Sequence, residues 1–353
     1  MKVLFLLNRV QRETIGAVER GETSDDHLYG MLRLRRLGIE TDYLEIEQYL
    51  PARLCAFLRK YALNVYWVHL PLFFKFRKYD FIYTSTAFGT QLVHTLYPFK
   101  KPKWVMLDFS ITGLIGNRRT LRQKIFYYIV KRASGIISRS EEEQSKLREM
   151  FPEKSKSIYF LRFAVDTDRI KPIPKVPEED VIFSPGRDPG RDFKTLFEAA
   201  KGLGHRVVIT TRPWTLKKLL PLPDFVTCKD LSEEEYYRQY AAAKVIVIPL
   251  DIGNGINDAM GCSTIVEAAA LGKPAIMTAT PSARSHMIEG TTAALIPAKD
   301  PPALREKLIG LLDSPERRQK MGLAARDFAE KNFSANRSAE MLAGFLKEIY
   351  QRT

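Results

Sequence analysis

Short apolar runs alternate with longer segments of helical periodicity along this chain, and the alternation occurs twice. Examples are Val3–Leu7 and Phe81–Thr84 in the first half, and Val181–Ser184 and Arg206–Thr210 in the second. Apolar strands separated by helices form parallel sheets that are covered on both faces. The pattern therefore predicts an α/β fold, and 353 residues suit two domains better than one.

The predicted elements form two Rossmann-like halves, which we expect to face each other across a cleft. The first half has predicted strands at Val3–Leu7, Thr41–Ile46, Phe81–Thr84, Trp104–Leu107 and Gly135–Ser138 and helices at Asp25–Leu37, Gly89–Leu96 and Leu121–Ala133. The second has strands at Val181–Ser184, Arg206–Thr210, Val226–Cys228, Val245–Pro249, Ala275–Thr278 and Ala293–Ile296 and helices at Phe193–Leu203, Glu233–Ala243, after Ser263, Pro302–Leu312 and Pro315–Asn332.

A segment rich in proline and charge, Lys171–Asp180, is predicted to be the linker between the halves. The expected domains are therefore residues 1–170 and 178–335. A last amphipathic helix, at about 336–353, is expected to pack back on the first domain.

The formal net charge of +14 favours anionic partners. An anionic membrane surface or phosphate-bearing substrates would serve, whereas nucleic acid is not predicted because no recognisable binding motif supports it. The three cysteines, Cys55, Cys228 and Cys262, are far apart and odd in number, which favours reduced thiols in the cytoplasm. No Cys/His cluster has zinc spacing and no apolar run reaches about 18 residues, so neither a metal nor a transmembrane helix is predicted.

Basic and aromatic side chains are interleaved between Pro51 and Asp80. The basic residues are Arg53, Arg59, Lys60, Lys75, Arg77 and Lys78, and the aromatic residues are Phe57, Tyr61, Tyr66, Trp67, Phe73, Phe74, Phe76 and Tyr79. This mixture is typical of a bilayer interface, where cations meet lipid phosphates and rings lie at headgroup depth. It is equally typical of a core helix with a solvated basic edge, so peripheral membrane attachment is a hypothesis.

The stretch Gly261–Pro274 predicts a glycine turn, a short helix and the approach to a strand. Ser263 is a favourable N-cap, and a helix start presents unpaired N–H groups and a positive dipole end that bind anions. Glu267 follows about one turn later, where a carboxylate can reach sugar hydroxyls beside a bound phosphate. A serine cap with a glutamate that only complements the helix dipole would give the same pattern.

A glycine-rich loop, Gly186–Asp192, follows the strand Val181–Ser184 and carries Arg187 and Arg191. Arginine binds phosphate through paired hydrogen bonds, and glycine lets a ligand approach the backbone. The loop is neither a Walker loop nor a dinucleotide-binding fingerprint. Because loops at the carboxyl ends of parallel strands gather at one edge, we expect this loop and the Ser263 helix start to bind one diphosphate. An exposed arginine loop is the alternative.

As a set, these motifs resemble the nucleotide-sugar-binding domain of the retaining GT-B glycosyltransferases grouped as family 4. In chain order they are Gly186-Arg187, Asp230-Leu231, the strand Val245–Pro249, Glu267-Ala268, Gly272-Lys273-Pro274, Glu289-Gly290, Ala325-Arg326 and Phe333-Ser334. The resemblance covers about Val181–Ser334 and is looser in the first half. It implies a GT-B fold, with an N-terminal acceptor-binding domain and a C-terminal nucleotide-sugar-binding domain.

The resemblance also implies a retaining, metal-independent hexosyltransferase that uses a nucleotide-diphosphate sugar and no cofactor. Arg187 and Arg191 would neutralise the leaving diphosphate, to which Ser263 and Thr264 would donate hydrogen bonds. Glu267 would hold the ribose hydroxyls. The implied donor-binding set, in which Asp230 and Leu231 would lie against the base, is Gly186, Arg187, Arg191, Asp230, Leu231, Asp258, Gly261, Ser263, Thr264 and Glu267.

The sequence departs from the family pattern at two places. Relatives have a glutamate that contacts the transferred sugar where this chain has Ala259, so either neighbouring Asp258 takes that role or the sugar is held differently. Relatives often have a histidine where this chain has Asp108, which would polarise the acceptor hydroxyl or cap a loop. Asp25, Asp26 and His27 open the first major predicted helix. Asp26 and His27 are further acceptor-side candidates, with helix capping by the two aspartates as the alternative.

The predicted catalytic residues are Asp108, Arg187, Arg191 and Glu267. The sequence thus predicts transfer of a sugar to a glycan or lipid-linked acceptor by a cytoplasmic protein, and peripheral attachment at the inner face of the cell membrane stays a hypothesis. Two alternatives remain open, namely a nucleotide-sugar epimerase of similar build and a non-catalytic GT-B-like binding protein, the latter motivated by Ala259.

Overall fold

The computed structural model describes residues 1–7, 10–61, 63, 66–85, 87–99, 101–108, 110–188, 190–217, 219–252 and 259–352. The chain forms two compact units, Met1–Leu161 with Ala335–Thr353, and Arg162–Ser334. Each unit is built on a six-stranded sheet whose strand pairs are all parallel. The prediction of two parallel α/β halves is confirmed.

The first unit has the strand order β2-β1-β3-β4-β5-β6. Its strands are β1 (Lys2–Leu6), β2 (Glu40–Tyr43), β3 (Phe81–Thr84), β4 (Lys103–Leu107), β5 (Gly135–Ser138) and β6 (Ile158–Phe160). Its helices before the second unit are α1 (Gln11–Glu19), α2 (Met31–Arg36), α3 (Ala52–Tyr61), α4 (Phe88–Leu96), α5 (Ile111–Ile115), α6 (Leu121–Arg132) and α7 (Glu141–Met150), with 3₁₀ turns at Asp26–Leu28, Ile46–Gln48, Leu70–Lys78 and Pro152–Ser157.

The second unit has the strand order β12-β11-β10-β7-β8-β9. Its strands are β7 (Glu179–Pro185), β8 (Arg206–Thr210), β9 (Val226–Cys228), β10 (Ala243–Ile248), β11 (Ala275–Thr278) and β12 (Ala294–Ile296). Its helices are α8 (Phe193–Ala200), α9 (Pro213–Leu216), α10 (Glu233–Ala242), α11 (Cys262–Ala270), α12 (Pro281–His286), α13 (Pro301–Leu312) and α14 (Pro315–Asn332), after which α15 (Ala335–Gln351) belongs to the first unit.

Alternate side chains of each central strand enter different cores, which is why these strands are apolar throughout. In β4, Trp104 and Met106 belong to one buried cluster, while Val105 and Leu107 belong to the cluster on the other face. The second of these clusters includes Leu346 and Ile349 of α15. Because helices cover both faces, the functional side chains of such sheets are found at the ends of the strands.

The boundary between the units differs from the predicted linker at Lys171–Asp180. It lies after Leu161, because the following segment is held by the second unit. Arg162 Nε donates to the carbonyl of Ser285 at 2.7 Å, and the N–H of Val165 donates to the carbonyl of Phe333 at 2.9 Å. The proline-rich stretch Lys171–Asp180 therefore lies within the second unit and does not connect the two units.

The predicted helix Asp25–Leu37 is wrong. A 3₁₀ turn at Asp26–Leu28 ends at Tyr29, and α2 begins only after Gly30. Both of these residues have left-handed backbones, with φ of 51° and 85°, which a continuous helix cannot contain. Within the described ranges, no helix is long and apolar enough to cross a membrane.

We predict opposite effects of alanine at two helical glycines. In Gly322→Ala, the new Cβ of α14 would lie 2.1 Å from the carbonyl oxygen of Gly272, next to α11, so we expect a loss of about 1–3 kcal/mol in unfolding free energy. Gly344→Ala in α15 is the matched control, since its Cβ meets no described atom within 4 Å and should stabilise by about 0.5–1 kcal/mol. Thermal and urea unfolding measure the stability of both variants. Equal unfolding free energies for the two would contradict the close packing of α14 on Gly272.

Candidate functional site

The candidate site lies at the carboxyl edge of the second sheet, between β7 and β10. The connections of these two neighbouring strands run in opposite directions along the sheet, to β8 on one side and to β11 on the other. Such a switch point opens a crevice that α/β proteins use to bind ligands. Backbone hydrogen bonds join the loops that follow the two strands: Asp192 N–H donates to the carbonyl of Pro249, and Asp251 N–H to that of Gly190.

Arg191 is the buried cation of this site. Its Nη2 donates to Thr264 Oγ1 at 2.9 Å and to Asp188 Oδ2 at 3.2 Å. Its Nε and Nη1 are buried and have no hydrogen-bond partner among the described residues. A buried guanidinium with unsatisfied donors is costly, and an anion that accepted hydrogen bonds from these two nitrogens would offset the cost. The arrangement supports the predicted diphosphate role of Arg191.

Gly186 makes room for that guanidinium. A Cβ at this position would lie 2.1 Å from Arg191 Nε and 2.3 Å from Cζ, so any side chain would push the cation away. The Gly186 N–H donates to the carbonyl of Thr210 at 3.0 Å, which fixes the loop against β8. The glycine is therefore required by close approach, as the sequence suggested, although its neighbour is a protein side chain and not the ligand.

The helix start at α11 differs from the prediction, because Ser263 is not the N-cap. The helix begins at Cys262, and the cap residue is Gly261, whose backbone is left-handed with φ of 75°. A Cβ there would lie 2.7 Å from Ile248 Cγ2, so a serine cannot occupy the cap. Ser263 is exposed in the first turn, and buried Thr264 beside it accepts from Arg191. Both stand next to first-turn N–H groups, which have no partner within a helix.

Glu267 lies one turn further along α11. Its Oε2 accepts hydrogen bonds from the hydroxyls of Tyr236 at 3.0 Å and Tyr240 at 3.1 Å. Burial raises the pKa of Glu267 to about 7, although both hydroxyls and the positive charge of Arg191 act to lower it. A carboxylate held in this way can accept hydrogen bonds from sugar hydroxyls.

The remaining donor-side predictions fall on more exposed residues. Arg187 is exposed, and its Nη2 lies 3.7 Å from Asp230 Oδ1 on a fully exposed side chain. An exposed pair at this distance contributes little stability, so both side chains are available to a ligand. Leu231 is half-buried against the core. Asp258 lies outside the described residues, while Ala259 is buried.

Asp108 follows β4 in the first unit and is buried. Its Oδ1 accepts from the N–H of Ile111 at 2.7 Å, and its Oδ2 accepts from Ser138 Oγ at 3.1 Å. Burial and the nearby Glu143 carboxyl raise the pKa of Asp108 well above its usual range. These contacts hold the start of α5, as expected if Asp108 caps the loop. The role of Asp108 toward an acceptor stays a prediction.

The expected capping by the aspartates before α2 is wrong. Asp25 instead forms a buried ion pair with Arg33, whose Nε and Nη2 lie 2.8–2.9 Å from its carboxylate oxygens. Asp26 Oδ2 accepts from Ser24 Oγ at 2.9 Å, and His27 is exposed. The acceptor-side role of Asp26 and His27 stays a prediction.

Tyr236, Tyr240 and Asp188 are site residues that the sequence did not point to. The two tyrosines are four residues apart on α10 and so share a face, but aromatic residues at this spacing are usually core. Their contact with Glu267 spans 31 and 27 residues of sequence, which no local pattern reveals.

Comparison with known proteins gives a family match within the second unit. Residues 219–328 match the family model described as glycosyl transferases group 1, a range that includes α10 and α11 and less than half of the chain. No curated protein matches the sequence.

Solved structures match over the whole chain. The sucrose-phosphate synthase from Thermosynechococcus elongatus has 17% identity and a TM-score of 0.73 over 100% of both chains. Anabaena Alr3699/HepE in complex with UDP has 13% identity and a TM-score of 0.70 over 99% of this chain and 100% of its own. A glycosyltransferase from Rickettsia africae has 16% identity and a TM-score of 0.65 over 100% and 99%. The chain therefore has the fold of these proteins, the GT-B fold of two Rossmann-like domains.

We predict that the unsatisfied Arg191 guanidinium binds inorganic pyrophosphate. The ligand should stabilise the protein, by about 2.7 kcal/mol at a hundredfold excess over Kd, and Gly186→Ala should remove the effect because its Cβ displaces the guanidinium. Gly204→Ala is the control, since it lies in the same unit, also has a positive φ, and its Cβ meets no described atom. Thermal shift measures all three proteins; a wild type that pyrophosphate does not stabilise would contradict the anion site.

Proposed function

We propose that this protein is a retaining, metal-independent glycosyltransferase that moves a sugar, of hexosyl type, from a nucleotide-diphosphate donor to an acceptor hydroxyl. The observation that carries the proposal is the buried Arg191 guanidinium with two uncommitted nitrogens, beside the start of α11 and one turn from Glu267. The family match over residues 219–328 supports it.

In the proposed donor complex, the diphosphate lies between Arg191, Arg187 and the first turn of α11. Breaking the bond from the sugar anomeric carbon to the phosphate oxygen leaves negative charge on the diphosphate. Preorganised cations and N–H groups stabilise that charge as it develops, which lowers the barrier. Ser263 and Thr264 add hydroxyl donors, and Glu267 accepts from the ribose hydroxyls.

Retention of configuration places the new bond on the face that the diphosphate leaves. The acceptor oxygen bonds to the anomeric carbon, and its proton passes to the departing phosphate oxygen. This route requires no separate histidine base, so the aspartate at position 108 in place of a histidine is compatible with it. The proposed acceptor is a glycan or a lipid-linked saccharide.

The base of the donor lies against the end of β9 and the following residues, with Asp230 and Leu231. Uridine is our first choice, because the structurally similar Anabaena protein was solved with UDP and with UDP-glucose. The nucleotide sugar is a substrate, and the proposed reaction uses no cofactor.

A non-catalytic nucleotide-sugar-binding protein is the second candidate. The observation that favours it is Ala259, which is buried where the family resemblance implies a glutamate on the transferred sugar. Such a protein would bind the donor without releasing the nucleotide. Nucleotide release in the presence of acceptor glycans excludes this candidate, and mass analysis of the products without acceptor excludes an epimerase.

We also propose that the protein works in the cytoplasm, docked on an anionic membrane surface. Leu54, Phe57 and Tyr61 project from one face of α3 and are 43%, 56% and 66% exposed. Phe74, in the 3₁₀ turn Leu70–Lys78, is 73% exposed. The basic residues beside these side chains are Arg53, Lys60, Lys75, Arg77 and Lys78. Rings with flanking cations suit the headgroup layer of an anionic bilayer.

The proposed reaction predicts that Arg191→Ala and Glu267→Ala each lose donor turnover by about 10²–10³-fold or more, because each removes a group that binds the leaving nucleotide. Arg238→Ala and Glu234→Ala, on exposed side chains of α10, are matched controls that should keep wild-type turnover. Nucleotide release measures the rate and circular dichroism confirms folding. Full activity of both site variants would refute the assignment.

The membrane proposal predicts sedimentation with phosphatidylglycerol vesicles at low salt and release at high salt. Phe57→Glu with Phe74→Glu should weaken binding at least tenfold, since each change removes an inserted ring and adds a repelled charge. Leu323→Glu, at a 64% exposed position of α14 in the other unit, is the control. Wild-type protein that stays in the supernatant at low salt would end the proposal.

A further inference from the structure

We infer that Tyr236 and Tyr240 are positioning residues for Glu267, holding its carboxylate by one oxygen so that the other serves the ribose hydroxyls of the donor. The inference rests on the proposed function and adds to it a pair of residues and a pH dependence of donor binding.

Both tyrosine hydroxyls donate to the same atom, Glu267 Oε2, at 3.0 and 3.1 Å. These are the hydrogen bonds that the described residues give to this carboxyl, and both leave Oε1 for a ligand. One oxygen is therefore occupied by the protein itself. Two donors on one oxygen also fix the plane of the carboxylate, because rotation would break at least one of them.

The tyrosines are themselves rigid. Tyr240 is fully buried, and its ring stands edge-on to Phe183 of β7, with 5.2 Å between the ring centroids. Tyr236 packs edge-on to Tyr240 at 5.2 Å, and the two hydroxyls are 3.4 Å apart. The pair therefore packs against the core beside β7, and these ring contacts hold the two hydroxyls in place at the carboxylate.

The charges around Glu267 come from three elements. Arg191, in the loop after β7, favours the ionised carboxylate, whereas Glu233 in the first turn of α10 disfavours it. The two hydroxyls on α10 favour it as well, and burial within α11 outweighs all three favourable groups, raising the pKa of Glu267 to about 7. Near neutral pH the carboxyl is therefore divided between its two protonation states.

Donor binding selects the ionised state. Two ribose hydroxyls can both donate to a carboxylate, whereas a protonated carboxyl has lost acceptor capacity and carries no charge. Affinity for the donor is therefore full above the pKa of Glu267 and falls as the pH drops through it. Removing one tyrosine hydroxyl raises that pKa further. A hydrogen bond to a charged group changes the ionisation constant of that group by about tenfold. In each tyrosine variant, the pH at which donor affinity falls should therefore rise by about one unit.

The test is calorimetric titration of the full-length protein with UDP-, GDP- and ADP-glucose from about pH 5.5 to pH 9. These sugars are suitable probes because their diphosphate is a diester and does not titrate in this range. The wild type should lose affinity about tenfold per unit below the pKa of Glu267, and Tyr236→Phe and Tyr240→Phe should show the same profile moved upward. Glu267→Gln should bind more weakly and without this pH dependence.

Tyr237→Phe is the matched control. Its ring packs on Tyr236 at 5.4 Å from the same helix, and it should keep the wild-type profile. A loss of affinity in Tyr236→Phe and Tyr240→Phe that is equal at every pH would overturn the positioning role in favour of a purely structural one, as would an unchanged profile. If no nucleotide sugar binds the wild type at any pH, the proposed function itself fails. Binding with a flat profile removes this inference and leaves the proposed function standing.

Discussion

The buried guanidinium of Arg191 is the group around which the candidate site is organised. It can lie there only because Gly186 has no side chain, and it ties the loop after β7 to α11 through Thr264. Two of its nitrogens are left without partners among the described residues, so the protein has placed a charge in its interior without fully compensating it. Buried donors without acceptors are costly, and a diphosphate that accepted hydrogen bonds from them would offset that cost.

Glu267 is the second ionisable group of the site, and burial raises its pKa by disfavouring the charged form. Tyr236 and Tyr240 offset part of that effect, and Arg191 adds a favourable charge, but burial still dominates. The site thus contains a buried guanidinium with two unpartnered nitrogens and a carboxyl group whose pKa lies near neutrality. A nucleotide sugar carries a diphosphate for the first and a diol for the second. A nucleotide sugar could therefore interact with both Arg191 and Glu267, whereas neither residue alone indicates this class of ligand.

Most of the second unit is predictable from the sequence because short strands rich in apolar residues alternate there with longer helical segments. The predicted strands Arg206–Thr210, Val226–Cys228 and Ala275–Thr278 agree with β8, β9 and β11 at every residue. Prediction failed where tertiary packing decides the backbone. Ser263 is a good N-cap by residue type, yet the closeness of Ile248 and Met277 admits only Gly261 at that position. Likewise, the left-handed residues Tyr29 and Gly30 break a segment whose apolar periodicity is that of one helix.

In the first unit, the reversal in strand connections does not coincide with the strand that precedes Asp108. In the order β2-β1-β3-β4-β5-β6, connections reverse between β1 and β3, so the crevice of this sheet opens at the ends of those two strands. Asp108 follows β4, one strand away, and its oxygens are occupied by Ile111 and Ser138. At the ends of β1 and β3, side chains are likewise hydrogen-bonded: Thr84 Oγ1 donates to the carbonyl of Leu6, and the His69 ring bonds that of Leu7. Asp108 therefore lies one strand away from the crevice that the topology predicts, and its role toward an acceptor stays a prediction.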